Sequence, residues 1–245
     1  MNLTIQSILA HTSVRSYTNE KVSEEIVETL IKCAQAASSS HFVQAYSIIQ
    51  ITDQSVRNQI AELLDNPKHI IEAPVYFVFV ADLSRHEQIT ELHDIKMGSL
   101  ESEALLIATV DTTLAAQTMM IAAESLGLGG VYTGVIRNYP NEISELLKLP
   151  SKSFALFGMS LGYPSKINEV KPRLPMNEVV HLNEYNTDKS VNNLLKYDKE
   201  MEVYYSKRSS NNKVDNWTYQ MAHYFSHTLR PQMNDFLSSK GFKLK

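Results

Sequence analysis

Three polar side chains stand at alternate positions near the start of the chain: His11, Ser13 and Arg15, within His11-Thr12-Ser13-Val14-Arg15-Ser16-Tyr17. Alternate side chains of an extended segment share a face, so an imidazole, a hydroxyl and a guanidinium would project together. That set can donate to an anion and also meet a polar ring edge. The plainer reading is a polar turn between two helices. Far downstream, Lys171-Pro172-Arg173 offers two more cations in a stiff setting. Two distant basic clusters suggest one buried anionic ligand.

Arg208 and Lys213 lie in the polar stretch Tyr204-Tyr205-Ser206-Lys207-Arg208-Ser209-Ser210-Asn211-Asn212-Lys213. This is either a solvated loop or a second anion site suited to an exposed phosphate monoester. Gly134, in Tyr132-Thr133-Gly134-Val135, falls late in an expected strand. A glycine there lets a flat ligand approach a backbone N–H, although a bulge or tight packing would use it equally well.

Gly127, Gly129 and Gly130 follow an expected helix and open a strand, the reverse of a Rossmann fingerprint, and Tyr132 stands where the third glycine should be. His223 and His227 have the spacing of two metal ligands on a helix, but no glutamate lies between them as in H-E-x-x-H, and no metal is expected. No G-x-S-x-G supports a serine hydrolase.

These residues must be positioned by the elements between them. Helices are expected over 3–10, after the capping Ser23, from Asp53 to Leu64, over 101–126 and from Pro140 to Leu147. Ala36–His41 reads as a small polar break that exposes hydroxyls. Strands are expected at 46–52, 75–81, 131–136 and 154–162. Val75–Ala81 is continuously apolar, as befits a central strand covered on both faces. The helix at 101–126 is apolar nearly all round and belongs in a core or a subunit interface. Residues 83–100 show no clear period and read as a mobile excursion. The tail, 181–245, is more polar and reads as two helices, near 190–206 and 214–239.

The chain has 245 residues and a formal net charge of −4 with no evident basic face, which argues against bulk nucleic-acid binding. Its one cysteine, Cys33, fits a reducing compartment and a packed core position. No signal peptide is evident, and Asp111, Gln117 and Glu124 interrupt the longest apolar stretch, which argues against a membrane span. A cytoplasmic location is expected.

Several blocks occur in a specific order: HTSVRSY, AASSSHFVQAYSIIQI, VDTTLAAQTMMIAAESLGLGGVYTGVIRN, LFGMSLGYP, KPRLP and YYSKRSSNNKVDNW. Together, over about residues 5–240, they resemble the oxygen-insensitive, NADPH-dependent FMN nitroreductases and the related NADPH–flavin oxidoreductases. The resemblance implies an α+β fold: a mixed sheet flanked by helices, in one domain spanning 1–245, assembled as an intertwined homodimer. Residues 181–245 would form a helical arm packing on the partner, and the helix at 101–126 would lie in the dimer core.

By the same resemblance, His11, Ser13, Lys171 and Arg173 are ligands of the FMN phosphate and ribityl chain, and Arg15 is the cation at the pyrimidine end. Ser38, Ser39 and Ser40 would line the cleft, partly from the other subunit. Tyr132 and Gly134 would contact the isoalloxazine, the Gly134 N–H near its reactive edge. Arg208 and Lys213 would recognise the 2′-phosphate of NADPH. The implied activity is a ping-pong, two-electron reduction of small-molecule acceptors: nitroaromatics, quinones, azo dyes, disulfides, chromate or free flavin. The implied chemistry is that of the flavin, with no protein nucleophile. A flavin-binding storage or sensor module is the alternative from a different class. One departure stands out. The family has glutamine where this chain has Pro67, which offers neither an amide nor an N–H; Asn66 or Lys68 are the candidates to compensate.

Overall fold

The computed structural model describes residues 2–186, 191–208 and 215–243. The chain divides into two compact units, one comprising 1–166 with 230–245 and the other 167–229.

The first unit is an α+β structure built on a four-stranded sheet. Strands β1 (Tyr46–Gln50), β2 (Val75–Asp82), β3 (Gly129–Thr133) and β4 (Ser153–Gly162) lie in the order β1-β2-β4-β3, and each neighbouring pair is antiparallel. Every residue of β2 is buried, as its unbroken apolar sequence requires. Phe77 and Phe79 pack on one face against helix α2 (Glu24–Gln35) and the long helix α6 (Ser102–Ser125). Tyr76, Val78 and Val80 pack on the other face with α3 (Gln54–Leu63), α4 (Lys68–Ile71) and α7 (Pro140–Leu146). Alternating side chains of one strand thus serve two cores.

The helix starts follow from their caps. Ser23 Oγ accepts from Ile26 N, and Asp53 Oδ1 accepts from Ser55 N. A short helix α1 (Leu3–Leu9) precedes the first polar segment, capped by Asn2 accepting from Ile5 N. Helix α6 has the length and hydropathy to cross a membrane, yet Ala115, Ala116, Met119, Met120 and Ala123 are buried inside the first unit.

Two expectations are corrected. Residues 84–92 form a helix, α5 (Ser84–Leu92), in place of a mobile excursion. Its start is held by Asp82 Oδ1, which accepts from Ser84 N at 2.9 Å and Ser84 Oγ at 2.6 Å. His86 Nε2 lies 2.8 Å from Val43 O, and Lys152 Nζ donates to Glu87. These are tertiary anchors that no periodicity displays. The expected helix at 214–239 is two shorter ones, α10 (Trp217–Tyr224) and α11 (Met233–Ser239). Pro231 between them cannot continue a helical ladder. The helices before them are α8 (Met176–Val179) and α9 (Val191–Lys207). Helix α11 belongs to the first unit, where Phe236, Leu237 and Phe242 complete a cluster with Leu100, Ala108 and Phe154.

Candidate active site

The polar segment after α1 is stitched to the sheet by its apolar and aromatic members. Val14 is buried and its N–H donates to Gly130 O at 2.9 Å. Tyr17 Oη donates to Val14 O at 2.8 Å and to Ser160 O at 3.3 Å, and burial pushes its phenol pKa upward. A Cβ on Gly129 would meet Val14 Cγ2 at 2.5 Å, so a glycine is what lets segment and strand approach. With Val14 pinned inward, His11 and Ser13 are half-buried and Arg15 is exposed.

His11 has a specific partner. Its Nδ1 lies 2.5 Å from Oε1 of Glu124, in the last turn of α6, and both side chains are largely covered. An imidazole held at Nδ1 by a carboxylate has its tautomer and orientation set, leaving Nε2 for a ligand. Two helical turns earlier, Gln117 Oε1 accepts from Tyr132 Oη at 3.2 Å. The Tyr132 ring packs edge-on against Phe157, with centroids 5.2 Å apart. Burial and, after it, the Glu124 charge push the Tyr132 phenol pKa upward, so it stays protonated and a donor.

Gly134 does not lie in a strand. β3 stops at Thr133, and Gly134 opens a 3-10 helix, Gly134–Asn138, beneath which Arg137 donates to Leu156 O. A Cβ at Gly134 would make only ordinary contact with Arg137, at 3.5 Å. Close packing among the described residues therefore does not require glycine at that position.

Thr133 Oγ1 is 3.1 Å from Nε2 of His69 on α4. Burial and then the Arg15 charge lower the His69 pKa, which places the imidazole within the electrostatic reach of that guanidinium. His69, two residues after Pro67, is therefore a loop side chain tied to Thr133. Lys68 and Asn66 are exposed, and Asn66 has φ 54°.

The three serines differ. Ser39 Oγ donates to Asp111 Oδ2 at 2.7 Å and accepts from Gln44 N at 2.7 Å. Asp111 Oδ2 also accepts from Ala45 N at 2.9 Å. Ser39 thus anchors a loop in which His41, Phe42 and Gln44 all have positive φ. Ser38 and Ser40 are exposed, Ser40 Oγ lying 3.2 Å from His41 Nδ1.

In the second unit Tyr197 Oη donates to Pro172 O at 2.9 Å and so fixes the Lys171–Arg173 segment. Lys171 Nζ lies 5.3 Å from the ring centroid of buried Tyr205, and Arg208 Cζ lies 5.0 Å from it. One aromatic ring therefore gathers a cation from each of two distant basic stretches, a contact its negative face favours. The charge of Arg173 reaches Tyr197. Lys213 lies outside the described residues. The helical i, i+4 spacing of His223 and His227 is not realised, because α10 ends at Tyr224; His223 Nδ1 lies 3.1 Å from Tyr219 O.

Sequence reasoning missed Glu124, Gln117, Asp111 and His69 as supports of the site. The first three were visible only as polar interruptions of an apolar stretch; Gln117 and Glu124 fall seven residues apart, on one helix face. The donor set of the segment 11–15 suits FMN: an oriented imidazole, a half-buried hydroxyl and an exposed guanidinium in one short stretch tied to β3.

Comparison with known proteins agrees with that chemistry. The model of the nitroreductase family matches residues 8–163, and that of the nitroreductase family C-terminal domain matches 171–245. The chain is 46% identical over 235 residues to a Cr(VI) reductase of Pseudomonas sp. (strain G-1), covering 96% of this chain and 97% of that protein. It is 39% identical over 246 residues to an FMN reductase (NADPH) of Bacillus subtilis (strain 168), covering 99% of each. The solved structure of the NADPH:FMN oxidoreductase from Vibrio harveyi complexed with NAD+ superposes with a TM-score of 0.90 at 38% identity, covering 98% of this chain and 99% of that one.

Proposed function

This chain belongs to the nitroreductase family, and from that premise we propose that it is an FMN-dependent NADPH oxidoreductase carrying out two-electron reduction of small-molecule acceptors. Nitroaromatics, quinones and free flavin are the acceptor classes. Chromate joins them on the strength of the Pseudomonas relative. The observation that carries the reading is the segment 11–15, tied to β3 by Val14 N–H donating to Gly130 O, with His11 oriented by Glu124, Ser13 half-buried and Arg15 exposed.

FMN, when bound, supplies the chemistry: it takes a hydride from NADPH and returns two electrons to the acceptor. The chain binds and polarises. His11 and Ser13, with Lys171 and Arg173, hold the phosphate and ribityl chain, each charge-assisted bond contributing roughly 1.5–3 kcal/mol. Arg15 places positive charge at the pyrimidine end, where it favours a two-electron reduced ring electrostatically. Tyr132 and the Gly134 backbone flank the ring system. Arg208 and Lys213 take the NADPH 2′-phosphate.

The assembly we propose is an intertwined homodimer in the cytoplasm, each chain a single nitroreductase-like domain. Exposed Leu106, Val110 and Leu114 on α6 support it, since a soluble monomer gains nothing from an apolar stripe there. Of the expected arm 181–245, only the part before Arg230 remains to pack on the partner, since Phe236, Leu237 and Phe242 are buried in this chain's own first unit; Ser38 and Ser40 would face the partner's cleft.

An absorbance spectrum of the purified protein, followed by anaerobic addition of NADPH or NADH, tests the reading. Flavin bands that bleach faster with NADPH are expected. Bands that do not bleach would indicate a binding module, and a colourless protein that FMN cannot reconstitute would sink the proposal.

A further inference from the structure

We propose that Tyr205 is a positioning residue shared by two phosphate sites, its ring holding the Lys171 and Arg208 cations for ligands that it does not itself touch. The inference rests on the reading above, which gives Lys171 to the FMN phosphate and Arg208 to the NADPH 2′-phosphate. It adds the residue that links them.

The ring is rigidly placed. Tyr205 is 2% exposed and packs with Tyr197, Met201 and Trp217. Its hydroxyl accepts from Gln220 Nε2 at 3.2 Å, and the same amide nitrogen donates to Asn216 O at 2.9 Å. Tyr197, Met201 and Tyr205 recur at four-residue intervals along α9 and form one buried stripe. That stripe meets the basic segment twice. Tyr197 Oη donates to Pro172 O at 2.9 Å, and Lys171 Nζ lies 5.3 Å from the Tyr205 ring centroid.

Arg208 reaches the ring from the other direction. Its N–H donates to Tyr204 O at 3.0 Å, which extends the last turn of α9. A side chain three residues beyond Tyr205 then lies over it, and the guanidinium carbon is 5.0 Å from the ring centroid. Two cations far apart in sequence are thus gathered by one ring.

An aromatic ring suits this task better than an acid. Gathered cations repel each other, and a carboxylate between them would relieve the repulsion by neutralising the charge that a phosphate needs. A ring face attracts a cation without adding a formal charge and without occupying an N–H donor. A cation held in that way keeps its charge for the incoming phosphate and has less freedom to lose when it arrives. The effect is also selective. It acts through Lys171 and Arg208 alone, so ligands without those phosphates do not feel it. FMN differs from riboflavin by one phosphate, and NADPH differs from NADH by another.

The test keeps the shape of the ring and drains its negative face. Tyr205→Phe is the reference, and phenylalanines with increasing fluorine content are incorporated at the same position of the full-length protein. FMN and riboflavin binding are read by fluorescence titration. NADPH and NADH are compared by the concentration that half-saturates anaerobic flavin reduction, with FMN in excess. Tyr205→Phe is expected to behave as the native protein. Along the fluorinated series FMN and NADPH should weaken stepwise, by about 2- to 30-fold in all, while riboflavin, NADH and the limiting rate of reduction stay constant. A flat series overturns the proposal, because the ring face then does nothing. Parallel losses for ligands with and without the phosphates overturn it too, since they mark a packing role. An unsubstituted protein that does not distinguish FMN from riboflavin, or NADPH from NADH, is a separate result: it removes the reading on which the proposal rests.

Discussion

Nδ1 of His11 lies 2.5 Å from Oε1 of Glu124, joining the segment after the first helix to the last turn of the long core helix α6. An exposed pair of this kind would contribute little, but this one is largely covered, which fixes the ring and leaves Nε2 for an anion. Glu124→Gln is expected to weaken FMN binding about 10- to 150-fold, the worth of a lost charge-assisted bond. Riboflavin, which lacks the phosphate, should bind the variant and the native protein alike. Titrating both ligands into both proteins checks this. Equal losses for the two would place His11 away from the phosphate.

Asp111 is 1% exposed, and one carboxylate oxygen accepts from both Ser39 Oγ and Ala45 N. Asp111→Ala orphans a hydroxyl and a backbone N–H at once and should cost about 2–4 kcal/mol in urea unfolding. Asp111→Asn retains an acceptor and should cost about half as much. In Asp111→Ala the loop through Ser38 and Ser40 loses its tether, so activity should fall before the fold does.

Tyr76 and Gly158 form a tight pair inside the sheet. A Cβ on Gly158 would lie 2.1 Å from the Tyr76 hydroxyl, which is buried without a hydrogen-bond partner among the described residues. Gly158→Ala should therefore destabilise the protein by about 2–3 kcal/mol. Tyr76→Phe removes an unsatisfied polar atom and should stabilise by about 1 kcal/mol. The double variant should be less damaged than the sum of the two, because the clash involves the deleted atom. Three melts and a native reference close that cycle.

The His69 pKa lies below its ordinary 6.5, first through burial and then through Arg15. Between the folded midpoint and 6.5 the unfolded chain binds the proton more readily, so stability falls as pH drops through that window. Above about pH 6.5 the group contributes no slope. An NMR titration should place the His69 midpoint below 6.5, and Arg15→Ala should raise it part of the way back. No movement in that variant would mean that the guanidinium does not act on the ring.

What was legible in the chain follows the range of the forces involved. Val75–Ala81 and the helix after Glu101 were legible because burial on all sides writes unbroken apolar runs. Ser23 and Asp53 announced helix starts because a cap is a local hydrogen bond. By contrast, α5 depends on Asp82, Val43 and Lys152, which lie outside it, so its own 84–92 sequence looked aimless. The strand expected through Ile136 ended at Thr133 because the chain turns over Arg137. The segment 11–15 could be read as chemistry, but Glu124 and His69 are separated from it by sequence and joined to it only by the fold. Positions that act through space leave no spacing to count.

Phe242 is wholly buried among residues of the first unit, and its backbone bridges to Leu100. That cluster is completed by Phe236, Leu237 and Phe242, far along the chain from Leu100, Ala108 and Phe154. The intervening stretch 167–229 behaves topologically as an insertion with both ends tied down. The core of the first unit therefore cannot close on the ribosome as its strands emerge, and waits for synthesis to pass the insertion and reach Phe242.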